Sequence, residues 1–427
     1  MFDSLDEIRK YLGYASFPKN MTEIFDAYIN NNNHTFMDEE ELQEVIGLLK
    51  NDDIHFDGLI FILREIALDQ KLSFALQWIR FAMVLGAHPS AWLIKHGPRL
   101  NHPTISDQSI ELLLILSLIK PSIQDHRKRH IDDQHAQFNL GHLKNYIKNY
   151  VNKHHSFGIE PFGWTSYLAS LGLIHIGSLN FMHHIFSDPY LCLMHRETSE
   201  IMVVVNQVQA INRFGQFTGV NQVGDVLFKT VFESDEDHLI ANPVNSKGII
   251  SREPIRLDLK TWKISIRPGD PVIDFHIPTG VPYDLSAIRE TFQMGRDFFQ
   301  KHYPEYDYQA FWCVSWLYSP QLPHIMTKTD SHILSIQQQG YICPATPGET
   351  SLFEFVFKTA KPDFESIQPK TSLERNVISF VEKGGKVNAG LYLYWLKDID
   401  KFGQRPYLKP YEHKEYDSIK PYLEVSR

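Results

Sequence analysis

The stretch from Pro271 to Trp316 constrains this chain more than any other. It opens on a strand-like run, Val272-Ile273-Asp274-Phe275-His276-Ile277, and passes through Pro278-Thr279-Gly280-Val281-Pro282-Tyr283. Helix-forming sequence follows from Asp284 to Tyr303, and Phe311-Trp312-Cys313-Val314-Ser315-Trp316 closes the stretch as a second strand. Strand, helix and strand over this length predict a crossover unit, because two parallel strands need a long connection and a helix supplies it. Asp284 caps the free amides of the helix's first turn. Leu285, Ile288, Phe292, Phe299 and Tyr303 make the apolar stripe that packs on the sheet. Gly295 interrupts the helix at about 1 kcal/mol relative to Ala, which implies that another group approaches closely there. In units of this kind ligands gather beyond the carboxyl ends of the strands, which here carry His276, the Pro-Thr-Gly loop and Ser315.

At 427 residues the chain is too long for one ordinary core, so two domains are expected. A net charge of -9 argues against a nucleic-acid partner, since neutralising phosphates needs a basic face. The three cysteines, Cys192, Cys313 and Cys343, are far apart and odd in number, which points to a reducing, cytoplasmic compartment. The first residues are acidic and lack a signal-peptide core. The greasiest run, Ile110 to Ile119, contains Glu111 and stops at Lys120-Pro121, so it reads as a buried helix and no membrane partner is expected. Of the 21 histidines, His126 and His130 are four apart without a third ligand, and His154-His155 and His183-His184 are adjacent pairs. All read as surface histidines, and no metal is expected.

Residues 1–160 read as an all-helical domain. Its segments include Met21 to Tyr28, the run of acids from Asp38 leading into Leu42, Val45, Ile46 and Leu49, and Leu140 to Val151. Phe56 to Leu68 and Leu72 to Leu85 are so continuously apolar that they read as the middle of a bundle. Residues 165–400 read as a mixed α/β domain and 401–427 as a peripheral tail, making the fold class α+β. Tyr190 to His195 and Ile201 to Val205 form one predicted hairpin, and Trp262 to Ile266 with Val272 to Ile277 a second, turning at Pro268-Gly269. Further on, Asp330 or Ser331 caps a helix that Gly340 ends. Ser351 to Phe357 alternates as a strand, and Lys386 to Leu396 is the last long strand. Thr371 with Glu374 is a capping box ahead of Val377, Ile378 and Val381, and Gly384-Gly385 ends that helix.

Four landmarks carry a resemblance: Ile176-Gly177-Ser178-Leu179-Asn180-Phe181, His276-Ile277-Pro278-Thr279-Gly280, Cys313-Val314-Ser315-Trp316-Leu317, and Thr371-Ser372-Leu373-Glu374-Arg375 with Gly384-Gly385. With the element order they make the chain resemble the bacterial acyltransferase domain-containing proteins, which join an N-acyltransferase N-terminal helical domain to a GNAT-like C-terminal domain. The resemblance covers Gly158 to Leu396. It implies a GNAT-like fold and acyl transfer from acyl-CoA, acetyl-CoA or longer, to an amine on a small molecule or peptide. It also implies a helical domain that helps form the acceptor site. The chain departs from the family at Ser178, Asn180 and Tyr318-Ser319-Pro320, and it lacks the spaced glycines of the usual pyrophosphate signature.

Acyl transfer to an amine needs a base, a stabilised oxyanion, a departing thiolate and a held cofactor. Asp274 and His276 share one face of the first strand, and a carboxylate beside an imidazole raises its basicity. His276 therefore reads as the base, or equally as a histidine hydrogen-bonded at a strand end. Ile277, Thr279, Gly280, Val281 and Tyr283 form the candidate cofactor loop, whose N–H groups precede a helix amino terminus. Asp284 competes for the same field, so a rigid turn is the alternative. Cys313 and Ser315 share a face of the second strand. Cys313 reads as core or as a nucleophile, and Ser315 as a ligand contact or a turn cap. Tyr318 reads as the acid for the thiolate. The rival functions are a non-catalytic ligand- or partner-binding protein, and a hydrolase or acyl-enzyme that pairs Cys313 or Ser315 with His276.

Overall fold

The computed structural model describes residues 2, 4–18, 21–30, 36–49, 56–84, 93, 97–100, 102–218, 226–326, 331–345, 349–385 and 387–408. Its contacts separate two units, Met1–His175 and Ile176–Arg427.

The first unit holds nine helices among its described residues. Local sequence sets several of their starts: Ser4, Ser106 and Asp132 each accept a first-turn amide. Asp107–Ser117 carries Leu112, Leu113, Leu114, Ile115 and Leu116 fully buried, as its greasy sequence requires. Gln70–Val84 buries Leu72, Ala75, Leu76, Trp78 and Ile79. Asp57–Leu68 is not central, because Phe61 is 62% and Leu68 79% exposed. The segment expected from Leu140 to Val151 runs further, over Asp133–His154. His126 and His135 are buried rather than at the surface.

The second unit is built on a six-stranded sheet. The strands of this sheet are β1 (Ile174–Ile176), which runs across the boundary between the units, β2 (Leu179–Ile185), β3 (Pro271–His276), β4 (Ala310–Ser315), β5 (Tyr341–Pro344) and β6 (Gly390–Trp395), in the order β1-β2-β3-β4-β6-β5. β3 and β4 are adjacent and parallel, and the helix Leu285–His302 connects them as the sequence predicts. Asp284 caps that helix by accepting from the amides of Ser286 and Ala287. Its apolar stripe meets Phe275 and Phe311, with the Phe292 and Phe311 rings stacked at 4.2 Å. A Cβ on Gly295 would lie 2.9 Å from the Phe181 ring, which is the close approach its sequence position implied.

Three expectations fail. Trp262–Ile266 pairs with Tyr190–His195, and β3 pairs with β2, so they form no hairpin with each other. Gly269, at φ +102, turns a corner between two sheets. Residues 351–357 lie in the helix Glu349–Phe357, where Phe353 meets Phe357 one turn on. Seven residues rich in aromatics fit both periods. The chain after Lys401 is not wholly peripheral: Phe402 and Tyr407 are buried in the sheet's core. The last strand begins at Gly390, with Lys386 outside the described residues. The expected hairpin Tyr190–His195 with Ile201–Val205 is present, as are the Thr371–Glu374 capping box and a positive-φ Gly384. Ser331 stands at the start of His332–Gln337 without bonding its first turn, and Asp330 lies outside the described residues.

Candidate functional site

β3 and β4 are joined by two pairs alone, Ile273 with Phe311 and Asp274 with Trp312. β3 nevertheless stays paired with β2 as far as His276, and β4 with β6 as far as Ser315. The two central strands therefore part at their carboxyl ends while each remains anchored on its outer side. A sheet interrupted this way exposes backbone groups within a wedge, and those groups need partners.

Side chains alternate across the wedge. On the face turned from the crossover helix, Asp274 is 6% exposed and its Oδ2 lies 3.2 Å from Nε2 of His276, whose side chain is 41% exposed. Burial pulls the imidazole's pKa down, but the charge of Asp274 and its hydrogen bond together leave it above the ordinary value. Trp312 shares this face. Its Nε1 donates to Asp188 Oδ2 at 2.7 Å, and its ring stacks on His184 of β2 at 4.4 Å. Burial pushes the Asp188 carboxyl up to about 6, the hydrogen bond from Trp312 opposes it, and the charge of Asp274 adds to it. Burial pushes His184 down.

On the helix side of the wedge, Phe275 and Cys313 are buried. Burial pushes the Cys313 thiol well up, with Asp274 adding to it, so the thiolate a nucleophile needs is disfavoured. Ser315 Oγ accepts from the Leu317 amide and caps the turn Trp316–Tyr318. The Tyr318 and Tyr283 hydroxyls are hydrogen-bonded at 2.8 Å, and burial raises both above the usual phenol range. At the mouth, Gly280 has φ +81 and open space at its Cβ position. Among the described residues no backbone hydrogen bond is donated by Thr279, Gly280, Val281 or Tyr283. Asp284 occupies the first-turn amides of the helix itself, so the open donors belong to the loop. No group of histidine, cysteine or carboxylate side chains among the described residues is arranged to hold a metal.

The sequence profile of the GNAT-like C-terminal domain family matches residues 173–391. The chain belongs to that family. Solved structures similar to this GNAT-like chain are acyltransferases, each about as long as it is. One, a mutant in complex with octanoyl-CoA, is 17% identical with a TM-score of 0.50, covering 91% of this chain and 98% of its own. Another, in complex with decanoyl-CoA and teicoplanin, is 17% identical with a TM-score of 0.51, covering 92% and 99%. A third, with CoA and 10C-teicoplanin, is 17% identical with a TM-score of 0.50 over the same shares. These likenesses establish the fold across nearly the whole chain, helical unit included. No curated protein matches the sequence.

Within the GNAT-like fold, Asp274 and His276 meet, and Ser315, Tyr318, Tyr283 and the 277–283 loop cluster where the strands part. Cys313 lies among them but buried. Sequence reasoning missed His184, Asp188 and Trp312. The signal for Trp312 was its alternation with Phe311, which puts it opposite Asp274. His184 was set aside as one of a surface pair, and Asp188 lies in a loop that carries no periodicity.

Proposed function

We propose that this chain is an acyl-CoA-dependent N-acyltransferase. The observation that carries the reading is the parting of β3 and β4 beside the Asp274–His276 pair. The wedge supplies backbone groups for a pantetheine arm, and the amides of Thr279, Gly280, Val281 and Tyr283 suit the diphosphate at its end. The acyl-CoA ligands of the fold's neighbours support a co-substrate with a chain of eight to ten carbons. Teicoplanin in one neighbour supports a small-molecule acceptor. The three cysteines are unpaired, which suits a cytoplasmic location, and no helix among the described residues is long and apolar enough to cross a membrane.

In this reading Nε2 of His276 donates to Asp274, so Nδ1 is the basic nitrogen and takes a proton from the acceptor ammonium. The neutral amine attacks the thioester carbonyl, the carbon–sulfur bond breaks, and the nitrogen loses its second excess proton as the amide forms. One proton returns to the coenzyme A thiolate and one is released. Both phenols are held protonated, and with the buried Tyr318 donating to Tyr283, the Tyr283 hydroxyl serves the sulfur as a hydrogen-bond donor rather than as a full acid. The buried Cys313 thiol speaks against the acyl-enzyme alternative. The test is thiol release from octanoyl-CoA in the presence of an amine panel: amine-dependent release that His276→Ala lowers supports the reading. Release at the same rate without amine would point to a hydrolase, and no release to a binding protein.

A further inference from the structure

Asp274 is only 6% exposed although it stands on the face of β3 turned from the crossover helix, so other side chains must close over it. They come from the strands on either side. β3 lies between β2 and β4, and neighbouring strands are about 4.8 Å apart, which sets β2 and β4 roughly 10 Å from each other. The His184 ring from β2 and the Trp312 ring from β4 are nevertheless stacked, with centroids 4.4 Å apart and planes 24° from parallel. Two such rings meet only by closing over β3 between them. His184 is the register partner of Val272 and Trp312 that of Asp274, so the roof covers both, and Val272 is fully buried. Asp188, in the loop after β2, pins the roof from outside. Its Oδ2 accepts the indole N–H at 2.7 Å, a strong bond because the acceptor is a carboxylate. The Trp312 ring is only half-buried, so packing alone does not confine it.

We propose that Asp188 is a positioning residue of the site: through Trp312 it holds the roof shut over Asp274, so that the charge of Asp274 reaches His276 undiluted by water. The purpose of the device rests on the acyltransferase reading; its geometry does not. Charges attract far more weakly through water than through a dry interior. Asp274 Oδ2 lies 3.2 Å from His276 Nε2, and its charge and hydrogen bond are what lift the imidazole against burial. Water admitted beside Asp274 screens that attraction and lets the imidazole fall. The titratable groups facing the pair are His184 from β2, Asp188 from the loop after it and Cys313 from β4. The charge that acts on His276 is that of Asp274, so Asp188 serves through the indole it holds.

The experiment is an NMR titration of the full chain labelled in its histidine rings, with the His276 signal assigned by its absence in His276→Ala. Asp188→Ala, which releases the indole, should lower the His276 midpoint by about half a pH unit or more, and Asp188→Asn, whose carbonyl still accepts the N–H, should leave it within about 0.2 unit. Trp312→Phe keeps a ring against His184 but cannot donate to Asp188, and it should lower the midpoint as Asp188→Ala does. It decides the matter by itself if Asp188→Ala does not fold. In amine-dependent thiol release from octanoyl-CoA, the acid limb of kcat/KM should move with the midpoint while KM for octanoyl-CoA stays within about twofold. An unmoved midpoint in Asp188→Ala or in Trp312→Phe would overturn the proposal. So would an equal fall in Asp188→Asn, which would make the effect one of charge. If the midpoint shifts as stated and the unaltered chain releases no thiol with any amine, the positioning role stands and the acyltransferase reading fails. If release depends on amine and the midpoint stays where it is, the positioning role fails alone.

Discussion

His276 and Asp274 have unequal surroundings, and that inequality defines what each can do. The carboxylate is sealed in and the imidazole reaches solvent, so His276 is the member of the pair that an acceptor can meet. With the folded His276 raised above 6.5, the base is neutral only at higher pH. The acid limb of kcat/KM should therefore centre above 6.5, with Asp274, His184 and Asp188 as the titratable groups near it. His276→Ala should abolish that limb and lower kcat roughly 100-fold, leaving coenzyme A affinity within about twofold. Asp188 carries the opposite lesson. Its folded value of about 6 lies above the ordinary 3.8, so the folded chain binds its proton more tightly than the unfolded one. The stabilisation from that proton is complete at low pH and is lost as pH rises through about 6. Asp188→Asn should accordingly raise Tm at pH 7, with the gain shrinking as pH falls from 6 towards 4 in scanning calorimetry.

Two elements set the site, the crossover helix and the loop ahead of it. Gly295 is where the helix meets the sheet most closely, and Gly295→Ala should cost about 1–3 kcal/mol in denaturant unfolding because the Phe181 ring must move. Gly280→Val should act on the loop instead: a β-branched residue at φ +81 distorts the free amides, weakening coenzyme A about tenfold while kcat at saturation changes less. These elements were legible because local and tertiary preferences agree in them. Asp284 caps, the stripe from Leu285 to Tyr303 has helical period, and Phe311–Ser315 is apolar on both faces. Elsewhere the local signal was shared between outcomes. Pro268-Gly269 fits a hairpin turn as well as a corner between sheets, and only long-range pairing decides. Residues 351–357 have too few turns to separate period 2 from period 3.6. Asp188 and Trp312 are joined by register across the strands, which no single strand encodes.

For the molecule as a whole, the second unit extends its core past the expected boundary. Phe402 packs against Phe292 and Tyr394, and Tyr407 bonds both the Trp395 amide and Asp398 Oδ2. Truncation after Lys401 should thus cost at least about 3 kcal/mol in chemical denaturation, a large-to-void change rather than the loss of a tail. Calorimetric titration with coenzyme A, acetyl-CoA, octanoyl-CoA and decanoyl-CoA asks whether the gap between β3 and β4 receives the arm of an acyl-CoA. Saturable binding of one molecule per chain is expected, tighter for the octanoyl and decanoyl thioesters than for acetyl-CoA, and weakened in Gly280→Val but not in His276→Ala. No heat of binding from any of the four at millimolar concentration would contradict it.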